Sequence, residues 1–244
     1  MQFSHHSKSH QQKRVSHHVG NTDSHILFNL LTSPPLFDQI EELLPEHRER
    51  LYPPTETLSM FLSQALSADG SCQQVVNEAM VKRVIYGLEP GKTDTGAYCK
   101  ARARLPLSMV STLARYTGDI ITSGAASKWY WQGRPVRLVD GATVTLADTE
   151  ENQAHYPQPS SQKAGLGFPQ CRVVTLLCLG SGALLNAATG PCKGKGGDEQ
   201  TLLRSMLDTL NDGDILLGDA YYATYFLLCE LVRRGVDGLF EHNH

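Results

Sequence analysis

No run of about 18 apolar side chains exists anywhere in the 244 residues, which excludes an ordinary membrane-spanning helix. The first 25 residues are polar and histidine-rich rather than built around an apolar stretch, so a secretory signal is not expected and the chain reads as cytoplasmic. Cysteine occurs at 72, 99, 171, 178, 192 and 229, but no two of them form a C-x-x-C pair. That spacing excludes zinc ribbons and small secreted disulfide scaffolds, and leaves the thiols as reduced packing residues. A nucleotide P-loop is missing too: Gly190 to Gly197 carries Lys193 and Lys195 but not the Gly-Lys-Ser/Thr ending. This segment reads as a plain turn, with a phosphate contact through its amides and two lysines as the alternative.

What remains is a chain of ordinary globular usage, 41% apolar and 19% charged, long enough for one large domain or two small ones. Its net charge of -3 is unevenly spread. Residues 1 to 91 carry 7 basic and 10 acidic side chains, residues 92 to 137 carry 8 and 2, and residues 138 to 244 carry 7 and 13. A basic band beside an acidic module suits a protein that holds a polyanion with one part and gathers cations with another; a solvated helix face explains the band equally well.

The head, with His5, His6, His10, His17, His18 and His25, has irregular spacing among Ser, Gln and Lys and reads as a disordered tail. From Ser24 to about Gly124 the apolar residues recur at helical spacing. Leu58, Phe61, Leu62, Ala65 and Leu66 form one stripe after the start signal Pro53-Pro54-Thr55. Asp69-Gly70-Ser71 interrupts it, and Val75, Val76, Ala79, Met80 and Ile85 form a second stripe. This is a helix, a short turn and a helix, compatible with a DNA-reading pair or with two ordinary packed helices. Two more helices are expected over 95–104 and 108–121.

Near Trp129 the period changes to that of strands. Val136, Leu138, Asp140, Ala142, Val144 and Leu146 alternate, with Val139 on the other face, and predict a strand covered on both sides. Strands over 172–179 and 183–189, a helix over 198–210, a strand over 214–219, a helix over 224–234 and a strand over 236–240 complete the order β-β-β-α-β-α-β. That order implies α/β architecture with a mixed sheet and helices on its faces. Between the first two strands, residues 147–169 read as a long polar loop with Asn152, Gln153, His155, Gln158 and Gln162, a candidate DNA contact.

Asp140 lies within an apolar strand and Asp219 at the carboxyl end of the fourth, where α/β sheets place their sites. A carboxylate there is either a cap or turn residue or a ligand for a divalent cation. If strands one and four are neighbours, both can reach one point, and such carboxylates, usually with a third, hold the Mg²⁺ pair of phosphoryl transfer. Tyr221 and Tyr222 follow Asp219 and either stack on a base or pack. Lys92, Lys100, Arg102, Arg104, Arg134 and Arg137 are the candidate phosphate contacts.

The segments Val139-Asp140-Gly141-Ala142-Thr143 and Gly218-Asp219-Ala220-Tyr221-Tyr222, with Thr95-Gly96-Ala97-Tyr98-Cys99-Lys100-Ala101-Arg102 before them, resemble DDE transposases of bacterial insertion sequences. More narrowly they resemble the group whose third acid lies in a Tyr-x2-Arg-x3-Glu-x6-Lys signature. The resemblance covers most of residues 30 to 244. It implies a ribonuclease-H-like mixed sheet preceded by an all-α DNA-binding domain, and Mg²⁺-dependent phosphodiester hydrolysis and strand transfer at element ends, with Mn²⁺ as a substitute ion. It also implies Asp140 and Asp219 as the first two metal-binding catalytic acids, double-stranded DNA of element ends and target as partner, a homodimer in the synaptic complex, a bacterial cytoplasmic location and no membrane. The corresponding division is a tail over 1–24, a helical DNA-binding domain over 25–128 and a catalytic domain over 129–244.

After Asp219 the only glutamates are Glu230 and Glu241, and neither stands in the signature. The sheet is therefore expected to be incomplete, without its final helix, and the 244 residues to be the front of a longer protein. Three functions follow as expectations: a transposase lacking its third acid in this chain, an inactive DNA-binding fragment that competes with or regulates an intact transposase, and a stand-alone ribonuclease-H-like nuclease.

Overall fold

The computed structural model describes Leu44 and residues 51–241 except Ala164 and Lys195. The histidine-rich tail lies outside the described residues. The chain divides into two compact units, one up to Leu113 and one from Ala114 onward.

The regular elements described in the first unit are helices: α1 (Pro54–Leu66), α2 (Cys72–Ile85), α3 (Gly96–Arg102) and the beginning of α4 (Leu107–Ser123). Proline at the first position of α1 spares an amide that would have no partner, and its fixed φ suits a helix start. Thr57 Oγ1 ties that start down, donating to the carbonyls of Pro53 at 2.8 Å and Tyr52 at 3.2 Å. Ser71 caps α2 by accepting from the Gln74 amide at 3.2 Å. Tyr52, Met60, Val75, Val76, Ala79, Met80, Tyr98 and Ala101 form the core.

Single-stripe patterns describe this unit incompletely. α1 packs against both α2 and α3, so its buried positions run round the helix from Thr57 to Met60, while Phe61 and Leu62 are half-buried and Ala65 is exposed. On α2 the stripe is buried from Val75 to Met80, but Ile85 is 72% exposed.

The second unit is built on a five-stranded sheet of order β3-β2-β1-β4-β5. Its strands are β1 (Val136–Thr145), β2 (Gln170–Cys178), β3 (Leu184–Pro191), β4 (Ile215–Gly218) and β5 (Asp237–Phe240). The pairs β1–β2 and β2–β3 are antiparallel, and β1–β4 and β4–β5 are parallel. Helices α6 (Glu199–Arg204) and α7 (Tyr225–Arg233) cover one face. Leu202, Leu203, Leu227 and Leu231 pack there on Val139, Val174, Leu176 and Leu216. Both helices enter through parallel crossovers, which is why β1, β4 and β5 run the same way.

Three local expectations change. The helix predicted over 198–210 stops at Arg204 and continues as a 3-10 turn, Leu207–Thr209; Thr209 Oγ1 there accepts from Asn186 Nδ2 of β3 at 2.8 Å. The polar segment before β2 is not a bare loop: it contains α5 (Glu150–His155), capped by Thr149, and its glutamines hold it together. Gln158 Oε1 accepts from the amides of Gly165 and Gly167, each at 3.2 Å, and Gln153 Nε2 donates to the Gly167 carbonyl at 3.0 Å. Finally, β1 is not covered on both sides throughout, because Ala142 to Thr145 are exposed. No helix among the described residues is long and apolar enough to cross a membrane.

Candidate active site

The site forms at one end of the β1–β4 pair. In the parallel register Leu138 stands opposite Leu217, so two residues further Asp140 comes level with Asp219. Neighbouring strands lie about 4.8 Å apart and residues at the same level share a face, so this register, continued past the end of the ladder, would set the two carboxylates on one face. Both residues are exposed, and neither forms an ion pair with a described residue.

Local structure fixes each aspartate. β4 ends at Gly218, where a Cβ would lie 2.8 Å from Val139 Cγ1; the glycine lets the two strands close up just before Asp219. Asp219 then caps the 3-10 turn Ala220–Tyr222, its Oδ1 accepting from the Tyr221 amide at 2.9 Å. Asp140 Oδ1 accepts from the Gly141 amide at 2.8 Å. In each case the second carboxylate oxygen has no hydrogen-bond donor among the described residues, so an oxygen-seeking cation would meet one such oxygen from each residue.

A third carboxylate, which the sequence reading did not single out, lies beside them. Glu199, in the first turn of α6, packs on the backbone of Gly141 so closely that a Cβ there would stand 2.5 and 2.7 Å from its two oxygens. Its Oε2 accepts from the Tyr222 hydroxyl at 2.9 Å, and its Oε1 lies 3.7 Å from Arg172 Nε. Tyr222 is fully buried. Burial, the hydrogen bond to Glu199 and the negative charges of Glu199, Asp219 and Asp140, in that order, push its phenol far above the ordinary value. All three carboxylates therefore act on one buried hydroxyl. Only an acidic residue in the first turn of a helix marks Glu199 in the sequence, and helix polarity alone accounts for that pattern.

Among the described residues no group of three or more His, Cys, Asp or Glu side chains is gathered closely enough to hold a metal ion. The donor set at Asp140 and Asp219 nonetheless fits one Mg²⁺, which commonly uses one or two carboxylates and completes its shell with waters and substrate phosphates. Glu230 does not add to it. Its carboxyl is held below the usual range by hydrogen bonds from Arg233 and Arg234, 2.9 and 2.8 Å away.

The six cationic candidates separate into two kinds. Arg137 is buried, its Nε 3.1 Å from Asp214 Oδ2, and Arg134 donates to the carbonyls of Gly213 and Asp214 at 2.8 and 3.2 Å and to Asp237 at 2.5 Å. Arg102 donates to Gln64 Oε1 at 2.9 Å and lies over the rings of Phe61 and Tyr98 at 5.9 and 5.8 Å. These three guanidiniums are occupied inside their own units. Lys92, Lys100 and Arg104 are exposed; Lys100 and Arg104 line a cavity of about 380 Å³ with Tyr52 and Asp94.

Residues 131–242 match the family described as Transposase DDE domain, a span that contains both aspartates and all five strands. The chain is also 33% identical over 140 residues to the Escherichia coli (strain K12) protein named "Putative transposase InsZ". That alignment covers 57% of this chain and 46% of the relative, so the chain spans about half the length of the relative it matches. The matched span, residues 131–242, is thus similar to the DDE transposase domain that the two aspartate motifs resemble.

Proposed function

We propose that the second unit is the DNA-cutting and joining centre of an insertion-sequence transposase, with Asp140 and Asp219 as its metal-binding acids. The observation that carries this is a pair of exposed aspartates without cationic partners among the described residues, one on β1 and one directly after β4, the strand that runs parallel beside it. The strand order β3-β2-β1-β4-β5 with its antiparallel and parallel halves supports a ribonuclease-H-like core. Asp140 and Asp219 would hold Mg²⁺, or Mn²⁺ in its place. When bound, the ion supplies Lewis-acid stabilisation of phosphodiester oxygens and lowers the pKa of an attacking water. The chain's own part is to hold the carboxylates at one level and to leave the sheet end open to a duplex.

Double-stranded DNA of element ends and target is the substrate in this reading, pairing of ends calls for a homodimer, and the reaction belongs to the bacterial cytoplasm. The exposed Lys92, Lys100 and Arg104 are the proposed phosphate contacts, and residues 25–128 the DNA-binding domain. In the full-length gene product, Asp140→Ala or Asp219→Ala should lower strand transfer at least ~100-fold, equivalent to about 3 kcal/mol of lost transition-state stabilisation. Unchanged strand transfer in either variant would sink the proposal.

One observation favours a second reading. Because no group of three metal-ligating side chains is gathered among the described residues and Glu230 is paired with arginines, the chain alone would bind DNA without turning it over, competing with an intact transposase. Salt-sensitive retardation of element-end DNA without cleavage is its expected result; no retardation at low salt removes it.

A further inference from the structure

We infer that Glu199 is the positioning residue of the aspartate pair, fixing both carboxylates by gripping the segment beside each. The inference rests on the reading of Asp140 and Asp219 as metal-binding acids and adds to it a residue that neither the aspartate motifs nor the Glu-containing signature includes.

Four contacts carry it. Glu199 rests on Gly141, the residue after Asp140, at a distance that admits no side chain. Its Oε2 takes the hydroxyl of Tyr222, the last residue of the turn that Asp219 caps. The next residue of the same helix, Gln200, donates from Nε2 to the Tyr221 carbonyl at 2.8 Å, so α6 holds that turn at two successive points. α6 itself is anchored: Asp198 accepts from the Thr201 amide at 3.0 Å and from its hydroxyl at 2.6 Å, and Leu202 and Leu203 are buried in the core.

The geometry explains why this position needs a long side chain with two acceptor oxygens. One oxygen satisfies a phenol that is fully buried, and the other faces Arg172 on β2. With the Glu199 carboxyl removed, the Tyr222 hydroxyl would lose its recorded partner and the space over Gly141 would empty. The backbone ladder between β1 and β4 runs only from Val136 to Leu138 and ends before either aspartate, so beyond it strand β1 and the Asp219 turn would be left with the apolar packing of Val139 against Gly218 and Tyr222. Polar positioning of the two acids beyond the ladder is thus assigned to Glu199 acting through Gly141 and Tyr222, beside the apolar contact of Val139 with Gly218.

The test is Mn²⁺ binding by the 244-residue chain, followed by the loss of the free-ion electron paramagnetic resonance signal, with thermal unfolding recorded for each variant. Wild type should bind, and Asp140→Ala and Asp219→Ala should not. Glu199→Ala should weaken binding roughly 10-fold, in the range seen when partners behind a metal ligand are removed. Tyr222→Phe, which keeps the buried ring, should weaken it several-fold, whereas Glu199→Gln, which keeps an acceptor for the Tyr222 hydroxyl, should stay within about two-fold of wild type. Wild-type affinity in folded Tyr222→Phe and Glu199→Ala, with binding still lost in the aspartate variants, overturns the role of Glu199 alone. Binding that is absent in wild type, or that survives Asp140→Ala and Asp219→Ala, overturns the reading of the pair itself and the role of Glu199 with it.

Discussion

The β1–β4 pair carries charge at both of its ends, and the two ends are opposites. At the inner end Arg137 and Asp214 have side chains only 8% and 2% exposed, opposite in sign and 3.1 Å apart. At the outer end Asp140 and Asp219 are exposed, alike in sign and without a cationic partner among the described residues. Buried charge survives only when neutralised from within, so the inner pair belongs to the fold. Exposed like charges repel and gain nothing for the fold, which is why the outer pair is the one proposed to take a cation from solution.

Breaking the inner pair should give the largest effect on stability. Arg137→Met leaves Asp214 buried and unpaired and should cost about 3–5 kcal/mol in urea unfolding, while Arg137→Met with Asp214→Leu should recover most of that loss. Removing the Asp198 cap should be intermediate: Asp198→Ala should cost about 1 kcal/mol. Hydrogen bonds from the Thr201 hydroxyl and amide hold the Asp198 carboxyl below its ordinary value. Its contribution is therefore complete above the ordinary carboxylate pKa and is lost as pH falls through the lowered one, so wild type and variant should converge in stability in acid. Asp140→Asn at the outer end should change stability least, by under about 0.5 kcal/mol, as expected for an exposed side chain that keeps an oxygen for the Gly141 amide and has no cationic partner among the described residues.

The same contrast sorts the cations. Lys92→Ala, Lys100→Ala and Arg104→Ala should each lower the slope of log affinity for DNA against log salt by roughly 1. Arg134→Ala should leave that slope unchanged and act on stability, because its guanidinium joins the starts of β4 and β5 through Gly213, Asp214 and Asp237.

Much of the sheet was legible because each strand is a short apolar run with its own punctuation. Asp140 and Asp219 stood out as carboxylates on apolar strands, and the relation to DDE transposases rests on their motifs. Side-chain commitments were not legible. Arg137 and Lys100 look alike in a charge count, yet Arg137 meets Asp214, a residue 77 positions away, and only pairing of β1 with β4 brings them together. Glu199 was hidden for the same reason: its partners Gly141, Arg172 and Tyr222 come from three separate segments, and its own setting is that of any acid at a helix start. The expected length of the 198–210 helix failed on a tertiary contact, Asn186 with Thr209, that periodicity cannot register.

The central claim is that the outer aspartates form a metal site. Anomalous diffraction from crystals of the chain soaked in Mn²⁺ tests it most directly. A manganese peak within coordinating distance of both Asp140 and Asp219, lost in Asp219→Asn, is the predicted result. A peak that persists in that variant, or no peak between the two carboxylates in wild type, would contradict it.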